Sequence, residues 1–143
     1  MKARDIMNTN LVVVRRDDGI KKLVDVLLAN GLSGVPVVDS KERVIGIVTE
    51  ADVINKEMKA RMFSAKNLVK LLNIWKEREK ENSVGDIMSE DVFTVSEDTD
   101  LFDLIEVVIE MKINRIPVVD TDGRLVGIIT RGDLLRGLRS IEG

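Results

Sequence analysis

Apolar residues at Ile20, Leu23, Val24, Leu27 and Leu28 fall at the i, i+3, i+4, i+7, i+8 spacing of one helix face. The same spacing returns at Leu101, Leu104, Ile105, Val108 and Ile109. A short β-branched run precedes each predicted helix, at 11–14 and 92–95, and two apolar strands follow it, at 35–38 with 44–48 and at 116–119 with 125–129. Polar turns at 39–43 and 120–124, the second containing Gly123, make each strand pair a hairpin. Asp17 or Asp18 is placed to cap the first helix, and Asp98 or Thr99 the second. Another helix opens at Thr49 and again at Thr130. The predicted order is β-α-β-β-α, twice, an α+β arrangement in which helices cover small sheets.

The two patterns are copies of one another. Shifting the chain by 81 residues matches 3–55 to 84–136 without a gap, and 16 of the 53 pairs are identical. The landmarks are Asp5-Ile6-Met7 with Asp86-Ile87-Met88, Pro36-Val37-Val38-Asp39 with Pro117-Val118-Val119-Asp120, and Gly46-Ile47-Val48-Thr49 with Gly127-Ile128-Ile129-Thr130. Two copies are too few for a solenoid, so a pseudo-twofold pair is expected. The division is a first domain at 1–55, a helical insert at 56–83 and a second domain at 84–143. Met58, Met62, Leu68, Leu71, Leu72 and Trp75 form an interrupted helical stripe in the insert, suited to packing on the repeats, on a second copy or on another protein.

Composition narrows the chemistry. The chain of 143 residues contains no cysteine and no histidine, which removes disulfides, thiolate nucleophiles, imidazole bases and the usual zinc ligands. No catalytic residue, metal or required cofactor is expected. A net charge of −3 gives no basic footprint for nucleic acid. No apolar run approaches the roughly 20 residues of a membrane span, and no apolar signal region opens the chain, so a cytoplasmic location is expected. Neither a Gly-x-Gly-x-x-Gly nor a Gly-Lys-Ser/Thr phosphate loop is present. Asp5 and Asp86 recur at equal positions and are expected to cap or pin the entering segments, with Met7 and Met88 as packing residues.

The most informative segment is Gly46-Ile47-Val48-Thr49-Glu50-Ala51-Asp52, repeated as Gly127-Ile128-Ile129-Thr130-Arg131-Gly132-Asp133. Two readings stay open. Thr-x-x-Asp is close to a helix capping box, in which Thr accepts from a first-turn N–H and the acid reaches back to the cap N–H. The same helix start favours an anion, so a phosphate can sit beside Thr while an ionised Asp accepts both ribose hydroxyls.

With Asp-Ile-Met, an apolar-Pro-Val-Val-Asp strand and the Gly-x-x-Thr-x-x-Asp segment each present twice, the chain resembles the CBS domain family over nearly all of both repeats. The resemblance implies a tandem pair that binds AMP, ADP, ATP or S-adenosylmethionine in clefts between the copies. It assigns the ribose to Asp52 and Asp133, and ribose or phosphate to Thr49 and Thr130, with Ile47 and Ile128 on the motif strands. It further implies that the clefts are built crosswise. Thr49 and Asp52 would be completed by Val92, Phe93, Ile113, Asn114 and Arg115, and Thr130 and Asp133 by Val12, Leu32, Ser33 and Gly34. A homodimer and a separate, unidentified protein target also follow from the resemblance.

Charge separates the two motifs, because Glu50 beside Thr49 repels phosphate whereas Arg131 beside Thr130 attracts it. These charges favour an anionic ligand, and the resemblance implies a regulatory module signalling through an adenosine nucleotide. Its rival is a structural or interaction module whose Thr-x-x-Asp elements only cap helices.

Overall fold

The computed structural model describes residues 1–64 and 83–142. In the first copy, a short helix α1 (Ala3–Ile6) precedes α2 (Ile20–Asn30), strands β1 (Gly34–Val38) and β2 (Val44–Thr49), and helix α3 (Glu50–Ser64). The second copy repeats the order as α4 (Val84–Ile87), β3 (Val95–Ser96), α5 (Leu101–Met111), β4 (Arg115–Val119), β5 (Leu125–Thr130) and α6 (Arg131–Glu142). β1 pairs with β2, and a second sheet has the order β3-β4-β5, with β3 parallel and β4 antiparallel to its neighbour. The fold is α+β with small sheets, as the periodicity predicts.

The first strand of each copy is shorter than its β-branched run. In the first copy Val14 alone bridges, in parallel with Val37, donating to the Pro36 carbonyl at 3.2 Å and accepting from the Val38 N–H at 3.0 Å. Extending this ladder back to Val12 would need an N–H from Pro36, which proline does not have. Pro117 imposes the same limit on the second copy, where pairing starts at Val95 opposite Val118.

The described chain divides into two compact units, and the cut does not follow the repeats. One unit comprises Met1–Leu11, Asp39–Val44 and Val92–Gly143, and the other comprises Val12–Val38 and Ile45–Asp91. The entering segment of each copy is thus built into the unit that holds the helices of the other copy. Ala3 is fully buried with Leu101, Leu104, Ile116, Val118 and Ile129, while its counterpart Val84 is fully buried with Val14, Leu23, Val35, Val37 and Val48. Equivalent hydrogen bonds fix the two exchanges. Ala3 and Arg4 donate to the carbonyls of Thr99 and Glu97, and Val84 and Gly85 donate to those of Asp18 and Arg16. Asp5 and Asp86 pin these segments by accepting from the N–H groups of Lys2 and Ser83, at 2.8 and 3.0 Å.

Three local expectations are corrected. Helix α2 has Gly19 at its N-cap, without a side-chain cap, because Asp18 instead closes a turn by accepting from the Arg15 N–H at 2.8 Å. Helix α5 is capped by Asp100, which accepts from Phe102 N–H, rather than by Asp98 or Thr99. Leu28 and Ile109, the last members of the two stripes, are 77% and 69% exposed, and Val26 and Val107 pack on the cores in their place. In each helix one position thereby moves from i+8 to i+6, which rotates the buried face toward the side of Leu23 and Leu104. Of the predicted insert, 56–64 continues α3, whereas Leu68, Leu71, Leu72 and Trp75 lie outside the described residues.

Candidate functional site

Each motif sits where a strand runs straight into a helix. β2 ends on Thr49 and α3 begins at Glu50; β5 ends on Thr130 and α6 begins at Arg131. Gly46 and Gly127 keep these strands close to the methionine of an entering segment. A Cβ on Gly46 would stand 2.7 Å from Met88 Sδ and 3.0 Å from the Ser89 carbonyl, and one on Gly127 would overlap Met7, its Cγ lying 2.7 Å away. The adjoining backbones exchange bonds in both units, Ile47 with Ser89 and Ile128 with Asn8. Met7 and Met88 are packing residues, as expected.

The capping box forms in both copies with nearly identical geometry. Asp52 Oδ2 accepts from Thr49 N–H at 2.8 Å and from its hydroxyl at 3.1 Å, and the Asp52 N–H donates back to Thr49 Oγ1 at 3.3 Å. Asp133 does the same with Thr130 at 2.8, 3.1 and 3.4 Å. One carboxylate oxygen of each Asp is therefore committed to the helix start. The other, Oδ1, points elsewhere, and the two copies use it differently. Asp133 Oδ1 pairs with the Arg136 guanidinium, while Asp52 Oδ1 has no hydrogen bond among the described residues. Asp133 is buried, whereas Asp52 is half-buried.

The remaining candidates group by copy within the two units. Ile47, Val12, Leu32, Ser33 and Gly34 belong to the unit of Thr49 and Asp52; Ile128, Val92, Phe93, Ile113, Asn114 and Arg115 belong to that of Thr130, Arg131 and Asp133. Gly34 is buried, Leu32 and Phe93 are more than a third exposed, and Val12, Val92 and Ile113 are half-buried. Glu50 N–H donates to the Ser33 carbonyl at 2.8 Å, and Arg115 lies opposite Thr130 in the β4–β5 register. Each pre-proline segment is thus tied by backbone to the motif of its own copy. The Glu50 bond also uses a first-turn N–H that an anion at this helix start would otherwise take.

The hairpin turns repeat a second device. Asp39 accepts from the N–H groups of Lys41 and Arg43 and from Arg43 Nε; Asp120 accepts from those of Asp122 and Arg124 and from Arg124 Nε. The Arg43 and Arg124 backbone N–H bonds lead in holding the two carboxyls below the usual aspartate range. Lys41, Arg43, Asp122 and Arg124 line a depression of about 500 Å³. It opens at the turn end of β5, the opposite end from Thr130, and its cations are balanced by Asp39, Asp120 and Asp122. This charge balance gives it no pull on a nucleotide phosphate, so the motif helix starts remain the candidate site. Among the described residues no cluster of acids is arranged to hold a metal ion, and no helix is long and apolar enough to cross a membrane.

Arg136 is the residue that sequence reasoning missed. Its signal was available, since Asp133 and Arg136 stand three apart on one helix face and the copy offers Asn55 at the equivalent place.

The family model for the CBS domain matches residues 3–59 and 84–140. The protein CBSX2 of Arabidopsis thaliana, a chloroplastic CBS domain-containing protein, is 31% identical over 144 residues, covering 93% of this chain and 60% of the relative. MJ1426 of Methanocaldococcus jannaschii is 31% identical over 157 residues, covering 96% of this chain and 91% of the relative. The inosine-5'-monophosphate dehydrogenase of the same archaeon is 29% identical over 94% of this chain, yet that match spans only 23% of the enzyme. The chain thus spans about 60% or less of several relatives that it matches. A crystal structure of CBSX2 in complex with AMP superposes with a TM-score of 0.80 at 27% identity, covering 99% of this chain and 98% of that one. The CBS domain pair of MJ0100, crystallised with 5'-methylthioadenosine and S-adenosyl-L-methionine, shares the fold with a TM-score of 0.73 at 23% identity, covering 99% and 98% of the two chains. Two family matches at the two repeats, together with the duplicated Thr-x-x-Asp helix starts, place this chain in the CBS domain family as a tandem CBS pair.

Proposed function

We propose that this CBS pair is a regulatory module that binds an adenosine nucleotide, AMP first among AMP, ADP and ATP, and carries out no chemistry of its own. The observation that supports the reading most is the carboxylate of each motif Asp. Its Oδ2 builds the helix start, and its Oδ1 stays outside the capping box, without a hydrogen bond at Asp52 among the described residues and paired with the exposed Arg136 at Asp133, so that a ligand's ribose hydroxyls can donate to it. The AMP complex of CBSX2, whose fold is shared across almost the whole chain, supports the choice of nucleotide. Thr49 and Thr130 hold ribose or phosphate beside these acids, and Val12, Leu32, Ser33, Gly34, Val92, Phe93, Ile113, Asn114 and Arg115 supply the surroundings of the base. Binding is felt by a separate protein through a change in the module's shape or stability, in a homodimer. S-adenosylmethionine is the alternative adenosine ligand.

The capping boxes support a second reading, in which the pair is purely structural. A melting experiment separates the two. At about 100 times its dissociation constant, a native-state ligand adds about 2.7 kcal/mol, equivalent to roughly 5–10 °C for a domain of this size. AMP is expected to give this shift and GMP much less. Equal shifts would count against an adenine site, and no shift with any adenosine compound would favour the structural reading.

A further inference from the structure

Besides the residue after Thr, two differences close to the motif acid are more than the exchange of one branched apolar side chain for another. Ala51 and Asn55 of the first copy correspond to Gly132 and Arg136 of the second. Arg136 Nη2 donates to Asp133 Oδ1, the oxygen that the capping box leaves over. The arginine side chain is 63% exposed, while that of Asp133 is 11% exposed, so the cation reaches in from solvent to a buried acid. Gly132 lies beside it, at distances that would also accommodate a Cβ in ordinary contact. A Cβ at that position would lie 3.4 Å from Arg136 Nη1, 3.7 Å from Nη2 and 3.7 Å from Thr130 Oγ1, so the guanidinium lies against the first turn of α6 beside the Thr130 hydroxyl. Asn55 carries no charge and is too short to fold back in this way.

We infer that Arg136 is a specificity-determining residue of the second motif. It occupies the ribose acceptor in the unliganded chain and turns its guanidinium to the ligand's phosphate when ribose replaces it, so this motif selects phosphorylated adenosine ligands over uncharged ones. The inference rests on the reading that the motif binds an adenosine nucleotide. The cation of this pair is mostly in water, which keeps the pair weak, so releasing Arg136 from Asp133 costs a factor of about five in affinity. A charge-assisted bond to phosphate returns about tenfold or more, and the planar guanidinium suits a phosphate's oxygens. Adenosine bears the first factor without the second. The first motif, with Asn55 and with Glu50 beside Thr49, has neither.

The test is titration calorimetry of the full chain with AMP and with adenosine. Asp52→Asn silences the first motif, and the comparison is made with and without Arg136→Asn, the residue of the first copy. The preference for AMP over adenosine is expected to fall about tenfold or more, with AMP weakened and adenosine unchanged or tightened up to fivefold. Arg136→Lys should keep most of the preference. An unchanged preference in Arg136→Asn overturns the inference alone. If the unmodified chain binds neither compound, the proposed function itself fails and the inference falls with it. Because Arg136 is exposed, the variants should fold, and a cooperative ligand-free melt within several degrees of the unmodified chain's checks this.

Discussion

Replacing Asp52 and Asp133 by Asn and by Ala separates their two duties. Alanine removes both oxygens. It takes away the 2.8 Å bond from the Thr N–H and the 3.1 Å bond from the Thr hydroxyl at each helix start, and losing a cap of this kind costs about 0.5–2 kcal/mol. The ion pair lost with Asp133 adds little, since its arginine is mostly in water. Asparagine is different. Its amide oxygen can still accept from the Thr N–H, while its NH₂ takes the place of Oδ1 and can only donate. The fold should therefore lose no more than about 1 kcal/mol, whereas a ribose held by that oxygen loses its acceptor. Removing hydrogen bonds to a charged group costs about 1.5–3 kcal/mol, or one to two decades of affinity. Asp133→Asn should weaken the tighter AMP event more than Asp52→Asn, because Arg131 and Arg136 surround the second motif where Glu50 and Asn55 surround the first. Urea unfolding and AMP calorimetry of the four variants are the assays. If Asn lowers stability as much as Ala yet leaves AMP affinity intact, the acids are caps only. If Asp52→Asn is the more damaging to binding, the ranking by local charge is wrong.

The duplication supplies internal controls for backbone strain. Lys112 ends α5 at φ 54°, where the first copy has Gly31 at φ 61°. Lys112→Gly should raise the urea midpoint by an amount worth about 1 kcal/mol at constant slope, and Gly31→Ala should lower it similarly, since a Cβ on Gly31 meets nothing within 4 Å and the cost is purely conformational. Acid stability follows from four depressed carboxyls. Burial raises Asp18, but the Arg15 N–H and Lys22 outweigh it; the N–H groups of Arg43, Ser83 and Arg124 lead the lowering of Asp39, Asp86 and Asp120. Because their folded pKa values lie below the unfolded value of about 3.9, their stabilisation is complete above that value and lost as pH falls through the folded ones. Stability should drop below about pH 4, and Asp39→Asn with Asp120→Asn should flatten that drop in pH-dependent urea titrations.

Much of this was legible from residues alone, because the two copies act as an alignment of the chain with itself. The helices of Leu23 and Leu104, the hairpins after Pro36 and Pro117, and the Thr-x-x-Asp capping boxes follow from periodicity and local hydrogen bonding, which a sequence expresses directly. The shortened first strands follow from proline's missing N–H only once the register is known. The exchange of Ala3 and Val84 into each other's cores was hidden, since both are small apolar residues that suit either core and nothing local distinguishes the two. The caps at Gly19 and Asp100 were missed because neighbouring acids compete for the same turn, and Asp18 is drawn to the Arg15 N–H instead. Arg136 was overlooked because a helical arginine ordinarily reads as solvated; only its approach to Gly132 and Asp133 gives it a role.

A crystal structure of the full chain grown with AMP tests the central claim most directly. The account predicts ribose hydroxyls within hydrogen-bond distance of Oδ1 of Asp133, with the phosphate beside Thr130 and Arg136 turned away from the acid. AMP bound elsewhere, or a chain that binds no AMP and keeps Asp133 paired to Arg136, would contradict it.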